Sequence, residues 1–254
     1  MVKPIGFVVF GCLTVPKYRQ QIEDAYATWM QDALTAECSV RIFTGEITAD
    51  LDAGLAKLCV NVNFGDNYYS ASFKQWRGFE HMLYEVEPCS WYFTCGTDTF
   101  VHIPNVLSMI KEYENDTRSL CIGGHRCSET VNGQPVEYFS GGAGIFVNRV
   151  AVEQLCEAVP EFIDWWMRTE MVDHNFLDEN GLLVKKTVFG ASDLQLGVLC
   201  KQCKITEISI GSERLDGASS YKDVVPKLAS ILTCHNMLHD DFYDCHRRIH
   251  ASNF

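Results

Sequence analysis

The side chains able to do chemistry gather in a few stretches. The first is Trp91-Tyr-Phe-Thr-Cys-Gly-Thr-Asp-Thr-Phe-Val101. Its aromatic half has the pattern of a buried strand, and Gly96-Thr97-Asp98-Thr99 opens the strand's end into a polar loop. Ligands of open α/β sheets bind outside such strand ends. One carboxylate there, Asp98, suits a divalent cation and a diphosphate. Hard cations take oxygen ligands, and Gly96 lets a phosphate or ribose approach the backbone. The same residues also fit a strand followed by an Asp/Thr turn and a helix cap, with nothing bound. A second stretch, Tyr138-Phe-Ser-Gly-Gly-Ala-Gly-Ile-Phe-Val147, brings three glycines together, either for a close approach or for a tight packing bend. Ser192-Asp193 precedes Leu194, Leu196, Leu199 and Cys200 as a capped helix start. Cys234-His235-Asn236 leads into a His/Asp-rich tail.

The elements that must position these residues alternate. Pro4 to Phe10 reads as a buried strand. Ile22, Tyr26, Trp29 and Met30 recur at helical spacing and predict a helix over 17–34. Strands follow at 40–43 and 58–62. Phe73, Trp76, Phe79, Met82 and Leu83 mark a helix over 70–85, ended by Pro88 before the Trp91 strand. A helix over 104–113, a strand at 119–122, a polar segment at 126–135, a helix over 150–167 and a polar, irregular stretch at 170–187 come next. Alternation of this kind predicts an α/β fold with a central, mostly parallel twisted sheet and helices on both faces.

The chain has 254 residues, enough for a substantial core, with 47% hydrophobic and 21% charged residues. Its net charge is -12 and its pI near 5.1, the wrong sign for nucleic acid bound by phosphate neutralisation. No apolar run reaches the roughly 18 residues of a membrane span. The opening Met1-Val-Lys-Pro-Ile-Gly-Phe reads as a core strand and is too quickly polar for a signal peptide. The chain is therefore either cytoplasmic or the catalytic piece of a Golgi or secretory-lumen protein; Asn115-Asp116-Thr117 fits a glycosylation sequon. Of twelve cysteines, many sit in apolar strands as small hydrophobes. Cys200-Lys-Gln-Cys203 is a C-x-x-C that with Cys234-His235 offers a zinc site as an alternative, although the second pair lacks knuckle spacing.

Taken together, four segments resemble the Fringe-like and core 1 galactosyltransferase-like β-1,3-glycosyltransferases, which have the GT-A fold. They are the Trp91–Val101 strand with its Asp98, the Gly-Gly-Ala-Gly run at 141–144, Ala191-Ser192-Asp193-Leu-Gln-Leu-Gly197, and Thr28-Trp29. The resemblance spans roughly residues 4–240. It implies one domain over 1–254, with a nucleotide-binding half (1–101) and an acceptor-binding half (102–254). It implies inverting transfer from a UDP-sugar to a hydroxyl of a glycan or glycoprotein acceptor, aided by Mn²⁺ or Mg²⁺. By the family pattern Asp98 and His235 match metal ligands and Asp193 the general base. Thr14, Arg19 and Thr44 lie in nucleotide-binding loops and Lys74 near the nucleotide; Gly96 and Thr97 adjoin the cation site, and Gly142 and Ala143 line the sugar pocket. The departure is Gly96-Thr97-Asp98, where the family has three consecutive aspartates. Two lost carboxylates weaken attraction for a cation and leave open a non-catalytic binding or chaperone role.

Overall fold

A computed structural model describes residues 2–48, 50–66, 70–166, 168, 175–177, 183–185, 191–216 and 221–251. In chain order it comprises β1 (Lys3–Phe10), α1 (Pro16–Ala27), α2 (Trp29–Thr35), β2 (Ser39–Thr44), the single turn α3 (Ala53–Ala56), β3 (Cys59–Asn61), α4 (Ala71–Tyr84), β4 (Cys89–Cys95) and β5 (Phe100–Val101). Then follow α5 (Ile103–Lys111), β6 (Leu120–Gly123), β7 (Arg126–Val131), β8 (Gln134–Phe139), β9 (Ile145–Asn148), α6 (Arg149–Trp166), β10 (Asn175–Leu177) and β11 (Leu183–Lys185). The chain closes with α7 (Ser192–Gln202), β12 (Thr206–Ser209), β13 (Leu215–Asp216), α8 (Tyr221–Val224), β14 (Thr233–Cys234) and α9 (His239–Ala251).

Seven strands form one sheet in the order β12-β6-β9-β4-β1-β2-β3. All neighbours run parallel except β9, which is antiparallel to both β4 and β6. The fold is thus the expected α/β arrangement, and its sheet takes strands from both halves of the chain. Alternate strand residues feed two cores. Phe7, Val9, Trp91, Phe93 and Phe146 pack with α1, α2, α5 and α9 on one face. Val8, Tyr92, Ile145 and Val147 pack with α4, α6 and α7 on the other. Burial on both faces explains why β1 and β4 read as continuous apolar runs. Helix α4 lies close to β1 at Gly78, where a Cβ would come 2.4 Å from Val8 Cγ1.

The structure corrects the sequence expectations at four places. The helix expected over 17–34 breaks at Thr28, which leaves helical geometry (φ -123°, ψ -111°) while its hydroxyl donates to the Asp24 carbonyl at 2.7 Å. The polar segment 126–135 is half of the β7–β8 hairpin, turned by Asn132 (φ 48°) and Gly133 (φ 71°). Two positive φ values in a two-residue loop match the right-handed twist of the flanking strands. Part of the stretch expected to be irregular at 170–187 pairs as β10 with β11; the rest of it lies outside the described residues. The polar tail is helix α9, docked through Phe242, Cys245 and Ile249.

Candidate functional site

Beyond the C-terminal ends of β1 and β4 a cleft of about 370 Å³ opens, lined by Gly96, Thr97, Asp98, Lys74, Gly142, Asp193 and His235 together with Lys17, Gln21 and Ser140. That volume lies in the range of small-molecule sites.

Strand pairing brings Asp98 to His235. Residues Phe100 and Val101 of β5 pair antiparallel with Cys234 and Thr233 of β14. Asp98 stands just before β5 and His235 just after β14. The Met237 N–H donates to the Asp98 carbonyl at 3.0 Å, which keeps the two loops together. His235 Nε2 lies 3.2 Å from Asp98 Oδ2, and the two side chains remain 22% and 30% exposed, open to the cleft. Adjacent ligands of a six-coordinate divalent ion with bonds of about 2.1 Å stand about 3 Å apart, so this carboxylate and imidazole fit such an ion.

A glycine turn connects the Asp98–His235 pair to Asp193. The Gly144 N–H closes on the Gly141 carbonyl at 2.9 Å, and Gly144 has φ +83°, with no room for a Cβ against the Phe93 ring. Gly142 lies against the His235 imidazole, where a Cβ would come 2.5 Å from Nδ1. The Thr99 hydroxyl donates to the Gly142 carbonyl at 2.9 Å and the Thr233 hydroxyl to the Ala143 carbonyl at 2.6 Å. These two threonines, one at each strand of the β5–β14 pair, hold the turn against the His235 loop. On its other side the Gly141 N–H donates to Asp193 Oδ2 at 3.0 Å.

Asp193 is in the first turn of α7, where unpaired backbone N–H groups favour an anion. The Leu194 N–H donates to its Oδ1 at 2.9 Å. Each carboxylate oxygen has a second lone pair, so these contacts orient the group and leave it able to accept a hydroxyl. Its charge reaches Cys127 and Tyr138 on the hairpin: burial raises both pKa values, and the carboxylate adds to the rise. The start of α7 is held by α4. The Gln75 amide donates to the Ser192 carbonyl at 3.0 Å and accepts from the Thr94 hydroxyl at 3.3 Å, so one buried side chain ties the end of β4 to the start of α7.

Thr14, Thr44 and Lys74 meet at a residue that the sequence reading passed over, Asp66. Its Oδ2 accepts from the Thr14 N–H at 2.9 Å and the Thr14 hydroxyl at 3.0 Å. Its Oδ1 accepts from the Thr44 hydroxyl and the Gly45 N–H, both at 3.0 Å, and from Lys74 Nζ at 3.1 Å. Lys74 also donates to the Gly11 carbonyl at 2.6 Å. Burial pushes the Asp66 carboxyl pKa up, but the Thr14 and Gly45 N–H groups and Lys74 outweigh it and hold it well below the usual carboxylate range. The cluster joins the loops after β1 and β2 beside the cleft and reaches its lining through Lys74, while Thr14, Thr44 and Asp66 stay outside that lining.

Of the remaining expected residues, Arg19 and Ala143 lie outside the lining. Arg19 faces away, paired with Glu23 at 3.0 Å and Asp50 at 2.8 Å. Ala143 is buried behind the glycine turn. Thr97 lines the cleft but gives its hydroxyl to Gln21 Oε1 at 2.9 Å. The sequence did hold a signal for Lys17 and Gln21: they are four residues apart on the first turns of the helix that follows β1, hence on one face. All twelve cysteines are free thiols. Cys200 and Cys234 belong to the cores on opposite faces of the sheet, so the sequence's C-x-x-C and Cys-His do not form one metal site.

No protein-family model and no curated protein matches the chain. Among solved structures, a glycosyltransferase involved in the glycosylation of the major capsid of PBCV-1 aligns over 97% of this chain and 99% of its own, at 13% identity and a TM-score of 0.49. A mutant of Drosophila β-1,4-galactosyltransferase 7 in complex with manganese, UDP-Gal and xylobiose aligns over 94% of this chain and 73% of its own, at 11% identity and a TM-score of 0.42. The catalytic domain of the same Drosophila enzyme with xylobiose aligns over 82% and 65%, at 12% identity and a TM-score of 0.37.

Proposed function

We propose that the chain is an inverting, UDP-sugar-dependent glycosyltransferase of the Fringe-like, GT-A kind, acting on a hydroxyl of a glycan or glycoprotein, with β-1,3 linkage as the family resemblance implies. The observation that carries the proposal is one cleft lined by the Asp98–His235 pair and, across the glycine turn, by Asp193. Asp98 and His235 would hold Mn²⁺ or Mg²⁺, which when bound neutralises the charge that develops on a departing diphosphate. Asp193 accepts the proton of the incoming hydroxyl as its oxygen bonds to the anomeric carbon. The sugar–diphosphate bond breaks on the opposite face, so the configuration inverts. Lys17, at the cleft and outside the Asp66 cluster, is a cation available to diphosphate oxygens from the protein side. Asp66, Thr14 and Thr44 hold Lys74 in place on the proposed nucleotide side of the cleft and do no proton chemistry.

One observation favours a second reading, a protein that binds a nucleotide sugar without turnover. Gly96 and Thr97 replace two acids of the family pattern, and Thr97 is turned to Gln21, so Asp98 is the one carboxylate of that motif left at the proposed cation site. The two readings separate on release of UDP from a panel of UDP-sugars with Mn²⁺, in the wild type and Asp193→Asn. Transfer or hydrolysis by the wild type, reduced about 10²–10⁴-fold in the variant, is expected of a general base. Binding of the donor with neither hydrolysis nor transfer to any acceptor rejects the enzyme.

A further inference from the structure

On the side of the molecule formed by α2 and α9, three ligating groups point at one another. His246 and His250 are four residues apart on α9 and so share a face. Their Nε2 atoms lie 3.1 Å apart. His250 Nε2 is 3.2 Å from Asp32 Oδ2, and His246 Nε2 is 3.3 Å from the same oxygen. A tetrahedral ion with bonds of about 2.05 Å has ligand edges of 2 × 2.05 × sin 54.7°, or about 3.3 Å. All three edges of the triangle match that length.

We infer that Asp32, His246 and His250 form a binding site for a zinc-class divalent ion, separate from the cleft. Two imidazoles and one carboxylate suit zinc and its borderline neighbours rather than Mg²⁺ or Mn²⁺, which prefer oxygen. Three protein ligands leave a fourth position for water, and the site's half-exposed rim gives an ion a way in. The charges nearby suit it. Asp32 supplies one negative charge, and the neighbouring cations Arg247 and Arg248 are both turned to Asp244, at 2.8 and 2.7 Å. His102, close enough to sense Asp32 and His250, has its pKa lowered chiefly by burial and so adds no competing charge at neutral pH. The ion fastens the end of α9 to α2. At the other end of α9, His239 Nδ1 already meets Asp24 of α1 at 2.8 Å. The helix that follows the His235 loop is thereby pinned at both ends.

The test titrates the full chain with Co²⁺ alone and with Zn²⁺ alone, measuring stoichiometry by chelator competition and ligand type by cobalt absorption. One ion per chain is expected, with a nitrogen–oxygen spectrum free of thiolate charge transfer. Asp98→Asn keeps this site. His250→Gln, at a half-exposed ring, loses more than the roughly 10–100-fold in affinity that removal of an outer-shell partner costs. Zn²⁺ raises the melting temperature of the wild type and leaves that of His250→Gln unchanged. Absence of binding overturns the inference. So does a thiolate spectrum, or binding that persists when His246→Gln/His250→Gln is combined with Asp98→Asn.

Discussion

Asp66→Asn tests whether one buried carboxylate holds together the loops after β1 and β2 and Lys74 beside the cleft. The Asp66 and Lys74 side chains are 6% and 2% exposed, and the variant leaves the Lys74 ammonium with no charged partner. Breaking a buried pair from one side costs about 3–5 kcal/mol. Asparagine keeps one oxygen for the donors on Oδ1, and Lys74 keeps the Gly11 carbonyl, so the low end, about 3 kcal/mol, applies. At about 2–4 °C per kcal/mol for a chain of this size, the melting temperature falls by roughly 6–12 °C. Removing both charges in Asp66→Asn/Lys74→Met recovers more than half of that loss, because no uncompensated charge stays buried. The dependence on pH has a definite sign. The folded-state pKa of Asp66 is depressed, so its stabilisation is complete above the ordinary carboxylate value of about 3.9 and is lost as pH falls toward the folded value. The gap between wild type and Asp66→Asn is therefore constant from about pH 5 to 8 and narrows below about pH 4. Calorimetry across that range reads it directly. A variant melting within about 2 °C of wild type at pH 7, or a double variant weaker than the single, refutes the account.

Three further outcomes follow from the site. In Gly142→Ala the new Cβ starts 2.5 Å from His235 Nδ1, so the ring must move about 0.9 Å to reach ordinary contact at 3.4 Å. Steady-state UDP-sugar turnover should fall about 10²-fold, the cost of a displacement near 1 Å, and a change under threefold sinks the claim that the turn sets the imidazole. Gln75→Leu removes the bridge from Thr94 to Ser192 and leaves buried groups unpaired. It should cost about 1–3 kcal/mol in denaturant unfolding and depress turnover, and an unchanged midpoint argues against the bridge. With Asp98 as the one carboxylate among the described residues at the proposed cation site, Mn²⁺ alone should bind weakly and UDP should tighten it, by the same factor as Mn²⁺ tightens UDP. Calorimetric titrations in both orders measure that factor, and independence of the two sinks the shared site.

The sheet was legible because strands buried on both faces leave a continuous apolar record, as at Phe7–Val9 and Trp91–Phe93. The sequence also named Asp98, Asp193 and His235 as neighbours, and all three line one cleft. What escaped had physical reasons. Asp66 follows Phe64-Gly65 in a short polar loop, and nothing local marks it as the acceptor for groups from three other elements. Gln75 looks like an ordinary polar position between Phe73 and Trp76, and its partners, the Thr94 hydroxyl and the Ser192 carbonyl, come from β4 and α7 far away in the chain. The break at Thr28 depends on a side chain bonding back to the preceding turn, which periodicity does not register. The β7–β8 hairpin was recoverable, since Asn132-Gly133 is a turn signal that alternation in the flanking residues supports. Helix α9 was obscured by its charge, although Phe242, Cys245 and Ile249 mark its inner face.

The two-residue pairing of β5 with β14 also bears on the order of events as the polypeptide is synthesised. On a ribosome Asp98 emerges long before His235, and every strand of the seven-stranded sheet is out before β14 appears. A nascent chain can thus present all seven strands of that sheet while the proposed cation site still lacks the imidazole. His235 joins Asp98 only when β14 pairs with β5.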